Sequence, residues 1–277
     1  MRQISALRIK AAVADLAARA NFFLRKDVVI ALRKAYAAEK NRRAKAILKA
    51  ILDNAAYAKK EKLAICQDTG MGIVFAQIGQ KVIISGDLKV AINKGLADGY
   101  KKYSLRNSIV KDPLARGKPG FSPGIIHTEI VKGNKIKLTL LPKGFGCENK
   151  SQLRMFKPTA KAEEIKEFIV EAVKNAGPDA CPPYVVGVGI GGTADYAALL
   201  AKQSLLRKIQ SRPHQALNRL EKDLLTRINK LNLGPMGLGG AHTALAVHVQ
   251  TYPTHIAGLP VAVNISCHAL RSASVVL

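Results

Sequence analysis

Three of the four cysteines stand in short segments rich in glycine, proline and polar residues, and long cysteine-poor stretches separate them. They are Cys66, Cys181 and Cys267. This spacing predicts one buried site assembled from three distant loops. Thiolates are the usual ligands of iron-sulfur clusters, and a four-iron cluster held by three cysteines leaves one iron open to a substrate. The alternative is that these three residues and Cys147 are small apolar fillers, as free cysteines often are.

Composition limits the class of protein. A chain of 277 residues can bury a substantial core. Few cysteines for this length, and no charged-then-apolar signal segment, favour a reducing cytoplasm. No apolar run reaches the roughly 18 residues of a membrane span. The net charge of +25 indicates an acidic partner subunit, anionic small molecules or nucleic acid. Nucleic acid has the weakest support, because the lysines are scattered without interleaved aromatic residues.

Hydrophobic periodicity predicts a mixed α+β fold that begins with helices. Helices are predicted at 5–20, 27–37 and 44–60, which makes the N-terminal third, to about residue 62, helical. A strand at 73–78, a helix at 88–102 and strands at 125–131 and 135–141 follow, the last two joined by a turn at Gly133 and Asn134. Helices at 163–176, 193–207 and 216–231 and strands at 184–188, 243–249 and 259–265 complete the pattern. We expect β pairs layered with helices in a single domain, 1–277, whose loops converge on the site.

The segment from Gly187 to Gly192 satisfies G-x-G-x-x-G between an apolar strand and a helix, which is the context of a dinucleotide-binding fingerprint. The acidic residue expected about 20 positions further on is missing. We therefore predict a tight strand-to-helix turn with its N–H groups near an anion, and keep a dinucleotide-binding protein as the alternative. A zinc protein is a further alternative, although closely spaced cysteine pairs are absent.

Six segments, taken in order, resemble the iron-sulfur class I fumarases and L-tartrate dehydratases. They are 66–70 (CQDTG), 143–149 (KGFGCEN), 187–193 (GVGIGGT), 234–240 (GPMGLGG), 243–248 (TALAVH) and 253–268 (PTHIAGLPVAVNISCH). The resemblance runs from near residue 5 to the C-terminus and is to the separate α subunit of the two-subunit enzymes. It implies a hydro-lyase that reversibly hydrates a dicarboxylate, with fumarate and malate favoured over L-tartrate. It also implies a β subunit that completes the active site in a hetero-oligomer.

The resemblance implies a 4Fe-4S cluster bound by Cys66, Cys181 and Cys267, with the fourth iron reserved for the substrate. Gln67 and Asp68 match the substrate-pocket pair of the family. Asp68 is the residue expected to contact the leaving hydroxyl or to transfer a proton. Its structural alternative is a turn aspartate that caps the next segment.

The remaining implied site residues hold the substrate. Arg106 resembles an arginine that clamps a substrate carboxylate, for which a guanidinium fork is suited. The N–H groups of Gly144 and Gly146 fit carboxylate binding where side chains would block the approach. His255 matches a pocket histidine with a catalytic role. From composition alone, Arg106 is one basic residue among many and His255 a structural hydrogen-bonding residue.

The chain departs from the family pattern at several positions. Its loop at 117–123 replaces a polar loop, Cys147 stands where serine is usual, Ala241 where a basic residue is common, and Ser272 where histidine is expected. These departures concern the substrate pocket rather than the cluster ligands.

Overall fold

The computed structural model describes residues 1–211 and 213–277. The predicted α+β class is confirmed. Two compact units are present: unit 1 comprises 1–24, 55–145 and 271–277, and unit 2 comprises 25–54 and 146–270. The elements are β1 (Arg2–Ser5), α1 (Ala6–Phe22), α2 (Lys26–Ala38), α3 (Arg42–Glu61), β2 (Met71–Gly79), β3 (Val82–Ser85), α4 (Leu88–Lys102), β4 (Ile125–Val131), β5 (Ile136–Lys143), α5 (Phe145–Glu148), β6 (Gln152–Phe156), α6 (Ala162–Ala176), β7 (Tyr184–Gly192), α7 (Ala194–Ser204), α8 (Gln215–Asn229), β8 (Ala244–Thr254), β9 (Leu259–Ser266) and β10 (Ala273–Val276).

Unit 1 packs α1 and α4 with two sheets around one apolar core. Its larger sheet has the strand order β10-β5-β2-β4, and β1 pairs with β3 in a parallel pair. Helices α1 and α4 approach closely because α4 carries glycines at the contact. A Cβ atom on Gly95 would lie 2.6 Å from the carbonyl oxygen of Lys10, and one on Gly99 would lie 2.7 Å from that of Ala14. Fully buried side chains of α1, such as Leu16, fill the space between the helices and the sheet.

The predicted direct pairing of the strands on either side of Gly133 and Asn134 is wrong. Both strands exist, but β2 lies between them, parallel to β4 and antiparallel to β5. The end of β2 fits against the turn because Gly79 has no side chain: a Cβ there would lie 2.6 Å from the carbonyl oxygen of Gly133. The turn therefore joins two strands that are next-nearest neighbours.

Unit 2 contains a sheet of order β6-β9-β7-β8, in which β7 is parallel to β8 and antiparallel to β9. The G-x-G-x-x-G segment is part of β7, and α7 follows at once after Thr193, as the predicted tight turn requires. Two of its glycines face α7. A Cβ on Gly187 or on Gly189 would lie 2.1 Å from the carbonyl oxygen of Ala201 or of Ala197, respectively. These glycines thus serve helix packing, which weakens the dinucleotide interpretation.

The three helices predicted in the N-terminal third are confirmed as α1, α2 and α3, preceded by the short strand β1. None of the described helices combines the length and the apolar character needed to cross a membrane. That residues 1–277 act as a single domain stays a prediction.

Candidate functional site

Asp68 lies in the loop 66–70 of unit 1, between α3 and β2. Its Oδ1 accepts a hydrogen bond from the N–H of Gly70 at 3.0 Å, which is the capping turn that the structural alternative predicted. Its Oδ2 accepts from the N–H of Phe145 at 2.7 Å. Gly144 lies directly beside the carboxylate, since a Cβ there would be 3.1 Å from Oδ2. The structure therefore brings together two of the predicted site residues, Asp68 and Gly144.

Hydrogen bonds from Tyr100 of α4 and from Arg106, which follows α4, also hold the loop 66–70. The hydroxyl of Tyr100 lies 3.0 Å from the carbonyl oxygens of both Thr69 and Gly70. Burial raises the pKa of Tyr100 to about 12, so this phenol stays a hydrogen-bond donor. The hydroxyl oxygen of Thr69 accepts from the N–H of Arg106 at 3.0 Å. The backbone of Arg106 is thus attached to the loop while its side chain is exposed, as a carboxylate clamp requires.

Arg271 is a residue of this site that the sequence did not reveal. It is 4% exposed, and its Nη2 donates to the carbonyl oxygen of Asp68. Its Nε is buried with no hydrogen-bond partner among the described residues. Arginine is rarely this buried without a specific partner. The sequence signal that could have identified Arg271 as a site residue is its position, four residues after Cys267.

In unit 2 the segments of two predicted cluster ligands meet. Cys181 lies in the turn between α6 and β7 with a φ of 56°, and its N–H donates to the carbonyl oxygen of Pro178 at 3.0 Å. The carbonyl oxygen of Cys181 accepts from the N–H of His268 at 3.3 Å, and Nδ1 of His268 lies 3.1 Å from the same oxygen. Since His268 directly follows Cys267, these bonds hold the two cysteine segments together.

Tyr184 is the first residue of β7 and stands three residues after Cys181. Its side chain is fully buried and its hydroxyl donates to the carbonyl oxygen of Gly177. Burial, followed by the negative charges available on Cys147, Cys181 and Cys267, raises the pKa of this phenol. The phenol therefore stays protonated, and its hydrogen bond joins the start of β7 to the residue that follows α6.

Exposure separates the predicted ligands from the fourth cysteine. Cys66, Cys181 and Cys267 are each partly exposed and not buried as predicted, whereas Cys147 is buried. The Sγ of Cys147 donates to the carbonyl oxygen of Ala180 at 3.4 Å. Cys147 thus behaves as a core thiol, and the three partly exposed cysteines are the ones accessible to a cluster.

The glycine loop 234–240 packs against the Cys181 turn. The N–H of Met236 donates to the carbonyl oxygen of Pro182 at 2.8 Å. Gly237 has a φ of 74°, and a Cβ there would lie 2.3 Å from the Cβ of Pro178. This motif therefore supports the backbone that carries Cys181.

Glu39, which directly follows α2, holds the residues that follow this loop. Its Oε2 accepts from the N–H of Ala241 at 2.9 Å and lies 3.2 Å from Nδ1 of His242, while its Oε1 accepts from the N–H of Asn41 at 3.0 Å. Burial alone raises the pKa of Glu39, but these hydrogen bonds outweigh it and hold the pKa below its ordinary value.

The other predicted residues are exposed. Gln67 has its Oε1 3.4 Å from Sγ of Cys66, so the amide is adjacent to a predicted ligand. Gly146 is exposed and is the first residue of the second segment of unit 2. His255 is exposed after β8, and its Nδ1 accepts from the N–H of Ala257 at 3.2 Å. That bond is the structural role foreseen as the alternative for His255, and its catalytic role stays a prediction.

The donor set can be compared with the implied cluster. Across 1–211 and 213–277, no three His, Cys, Asp or Glu side chains form a group suited to a single metal ion. A four-iron cluster makes a different demand, because each thiolate binds its own iron and the sulfur ligands stand farther apart. The contact between the Cys181 and Cys267 segments, together with their partial exposure, fits two of the three implied ligands.

The sequence is also similar to known proteins. Residues 10–276 match the family model described as fumarate hydratase (fumerase). The chain is 41% identical over 276 residues to a putative L(+)-tartrate dehydratase subunit alpha of Methanocaldococcus jannaschii, covering 96% of each chain. It is 29% identical over 264 residues to the L(+)-tartrate dehydratase subunit alpha of Escherichia coli (strain K12), covering 94% of this chain and 87% of the relative.

Proposed function

The chain belongs to the fumarate hydratase family of hydro-lyases, and from this premise we propose that it is the α subunit of an iron-sulfur enzyme that dehydrates a 2-hydroxy dicarboxylate reversibly. The observation that carries the proposal is the hydrogen-bonded contact between the Cys181 and Cys267 segments. Two cysteines 86 residues apart are brought together by backbone bonds, both partly exposed, in a chain whose family depends on iron and sulfur.

The proposed cofactor is a 4Fe-4S cluster with Cys66, Cys181 and Cys267 as ligands and one iron not bound by cysteine. When bound, the cluster supplies a Lewis acid that polarises the C–O bond of the departing hydroxyl. Thiolate ligands are compatible with the reducing cytoplasm that the cysteine content indicates.

The chain's own residues would hold the substrate and move protons. Both oxygens of Asp68 accept one backbone N–H, and a carboxylate oxygen has a second acceptor position, so Asp68 can still accept a bond from a substrate hydroxyl. The exposed guanidinium of Arg106 would pair with a substrate carboxylate. Gln67 and the N–H groups of Gly144 and Gly146 would orient the substrate. Asp68 and His255 are the proposed proton-transfer groups.

Two substrates are proposed. The family description supports fumarate and malate, whereas the names of the two relatives support L-tartrate, whose dehydration gives oxaloacetate. Loss of water from either 2-hydroxy acid needs the same operations, namely departure of the C2 hydroxyl and removal of the C3 proton. Comparing kcat/KM for malate with kcat/KM for L-tartrate would therefore decide between the two substrates.

A β subunit is the proposed partner. Both relatives are named as alpha subunits, and the excess of basic residues in this chain favours an acidic partner. We expect the chain alone to bind the cluster and to show little or no turnover.

The test is anaerobic purification of the chain with and without its co-expressed β subunit. We expect iron and sulfide in both preparations, and dehydration of malate or L-tartrate in the complex only. Iron-free complex, or complex that turns over neither acid, would refute the proposed function. Full turnover by the chain alone would refute the need for the partner.

A further inference from the structure

A polar cluster inside unit 2 is used by none of the roles assigned above. Glu148 is the last residue of α5. Its Oε1 accepts a hydrogen bond from Nζ of Lys202 in α7. Its Oε2 accepts a hydrogen bond from Nδ2 of Asn264 in β9 at 3.0 Å. The same Nδ2 lies 2.8 Å from the hydroxyl oxygen of Ser151. The side chains of Lys202 and Glu148 are only 21% and 23% exposed.

Asn264 is the most buried member of the cluster, with 3% exposure. Its Nδ2 has two acceptors, but its Oδ1 is buried without a hydrogen-bond partner in the part of the chain that the structure describes. A buried acceptor without a donor costs free energy, and an apolar residue of similar size would avoid that cost. The asparagine is therefore better explained by what it holds than by a gain in stability.

The cluster holds the turn 146–151. Two backbone bonds close this turn, from the N–H of Lys150 to the carbonyl oxygen of Cys147 and from the N–H of Ser151 to that of Glu148. The side chains of Glu148 and Ser151 then attach it to α7 and β9. Both anchors are rigid, because α7 packs tightly on β7 through glycine contacts and β9 has hydrogen-bonded strands on both sides.

We propose that Glu148, Lys202 and Asn264 are positioning residues that orient the turn beginning at Gly146 so that its backbone N–H groups meet a carboxylate of the substrate. This inference rests on the proposed function, which assigns carboxylate binding to Gly146. The ligand class is a dicarboxylate of four carbons. The three side chains act through the turn and do not touch the substrate.

A purely structural role makes a different prediction. A partly exposed ion pair contributes little to stability, and its loss would change the melting temperature alone. A positioning role predicts weaker binding of the dicarboxylate with a cluster content that does not change, because the cluster ligands are not attached to this turn by Lys202.

The experiment uses the complex with its β subunit and the variants Lys202→Met, Lys202→Arg and Asn264→Asp. Lys174→Met is the matched control, since it breaks an exposed ion pair with Glu171 on α6 of the same unit. Calorimetry measures the Kd of succinate, a dicarboxylate that cannot be dehydrated. Initial rates give KM and kcat, and iron and sulfide are counted per chain.

We expect Lys202→Met and Asn264→Asp to raise the Kd of succinate and KM by about tenfold, with kcat within about threefold and cluster content as in the wild type. Lys202→Arg should recover most of the affinity, and Lys174→Met should match the wild type. A succinate Kd within about twofold of the wild type in folded Lys202→Met would overturn the proposal. A wild-type complex that binds succinate but turns over neither acid refutes the proposed function, while the ratio of Kd values still decides the role of Lys202. A wild-type complex that turns over malate or L-tartrate but does not bind succinate overturns the proposed carboxylate binding by this turn and leaves the proposed function standing.

Discussion

The carbonyl oxygen of Cys181 is bound by both the backbone N–H and the Nδ1 of His268, at 3.3 and 3.1 Å. The residue next to Cys267 is therefore attached directly to Cys181. Because Cys181 has a left-handed φ of 56°, its backbone conformation is one that few residues adopt without support. The backbone thus holds the two cysteine segments together, as the proposed cluster would require of these two ligands.

The first prediction concerns which cysteines bind iron. Replacing Cys181 or Cys267 with serine should lower the iron and sulfide content of anaerobically prepared protein by about tenfold or more, because a thiolate ligand is lost. Cys147→Ser is the matched control and should keep the wild-type content, since Cys147 is buried and bonded to Ala180. Equal iron content in all three variants would contradict the ligand assignment.

The second prediction concerns the glycines of β7. Gly189→Ala should lower the free energy of unfolding by about 1–3 kcal/mol, because the new methyl group would lie 2.1 Å from the carbonyl oxygen of Ala197 and force α7 outward. Urea unfolding measures the change. Gly258→Ala is the control, as its nearest neighbour would be 3.8 Å away, in ordinary contact. A stability of Gly189→Ala equal to that of the control would restore the interpretation of this motif as a ligand-binding turn.

Local sequence signals predicted the helices and strands better than they predicted which strands pair. Helix α4 was predicted at 88–102 and is found at Leu88–Lys102, because Asp87 accepts from the N–H of Val90 and caps it while apolar residues recur at helical spacing. The strands β4 and β5 were also found. Their pairing was missed because β2 comes about 50 residues earlier in the chain, and a pairing of that kind is decided by tertiary packing.

At the candidate site, too, local sequence signals identified some residues and tertiary packing decided others. Asp68 and Gly144 each belong to a sequence motif, and the structure places them side by side. Arg271 carries no motif and is one of 44 basic residues. What distinguishes it is its burial and its bond to the carbonyl oxygen of Asp68, and both arise only when the end of the chain returns as β10 to pair with β5.

The third prediction is a loss of stability in acid that depends on Glu39. The pKa of Glu39 is lowered in the folded protein, so its carboxylate contributes stability above the unfolded value of 4.5, and this contribution is lost as the pH falls through the lower folded value. Glu39→Gln should therefore be less stable than the wild type at pH 7 by about 1–3 kcal/mol, and the difference should shrink as the pH falls below 4.5. Denaturant unfolding at several pH values measures it. A difference that is constant with pH would show that Glu39 acts through its shape alone.

The last prediction tests Arg271 as a positioning residue for Asp68. Arg271→Met keeps much of the side-chain volume but removes the donor to the carbonyl oxygen of Asp68, so the loop 66–70 loses one of its fastenings. A hydrogen bond from a charged group contributes about 1.5–3 kcal/mol, and unfolding should show a loss of that size. In the complex, kcat should fall by about tenfold or more, because a displaced Asp68 carboxylate no longer meets the substrate.

The control for this variant is Arg8→Met, which removes an exposed arginine of α1 in the same unit. It should leave both stability and kcat unchanged. Arg271→Lys separates charge from geometry: an ammonium group keeps the charge but not the planar fork, so we expect partial recovery of stability and a kcat still well below that of the wild type. If Arg271→Met lost stability yet kept the wild-type kcat and KM in the folded complex, Arg271 would hold the fold and not the position of Asp68.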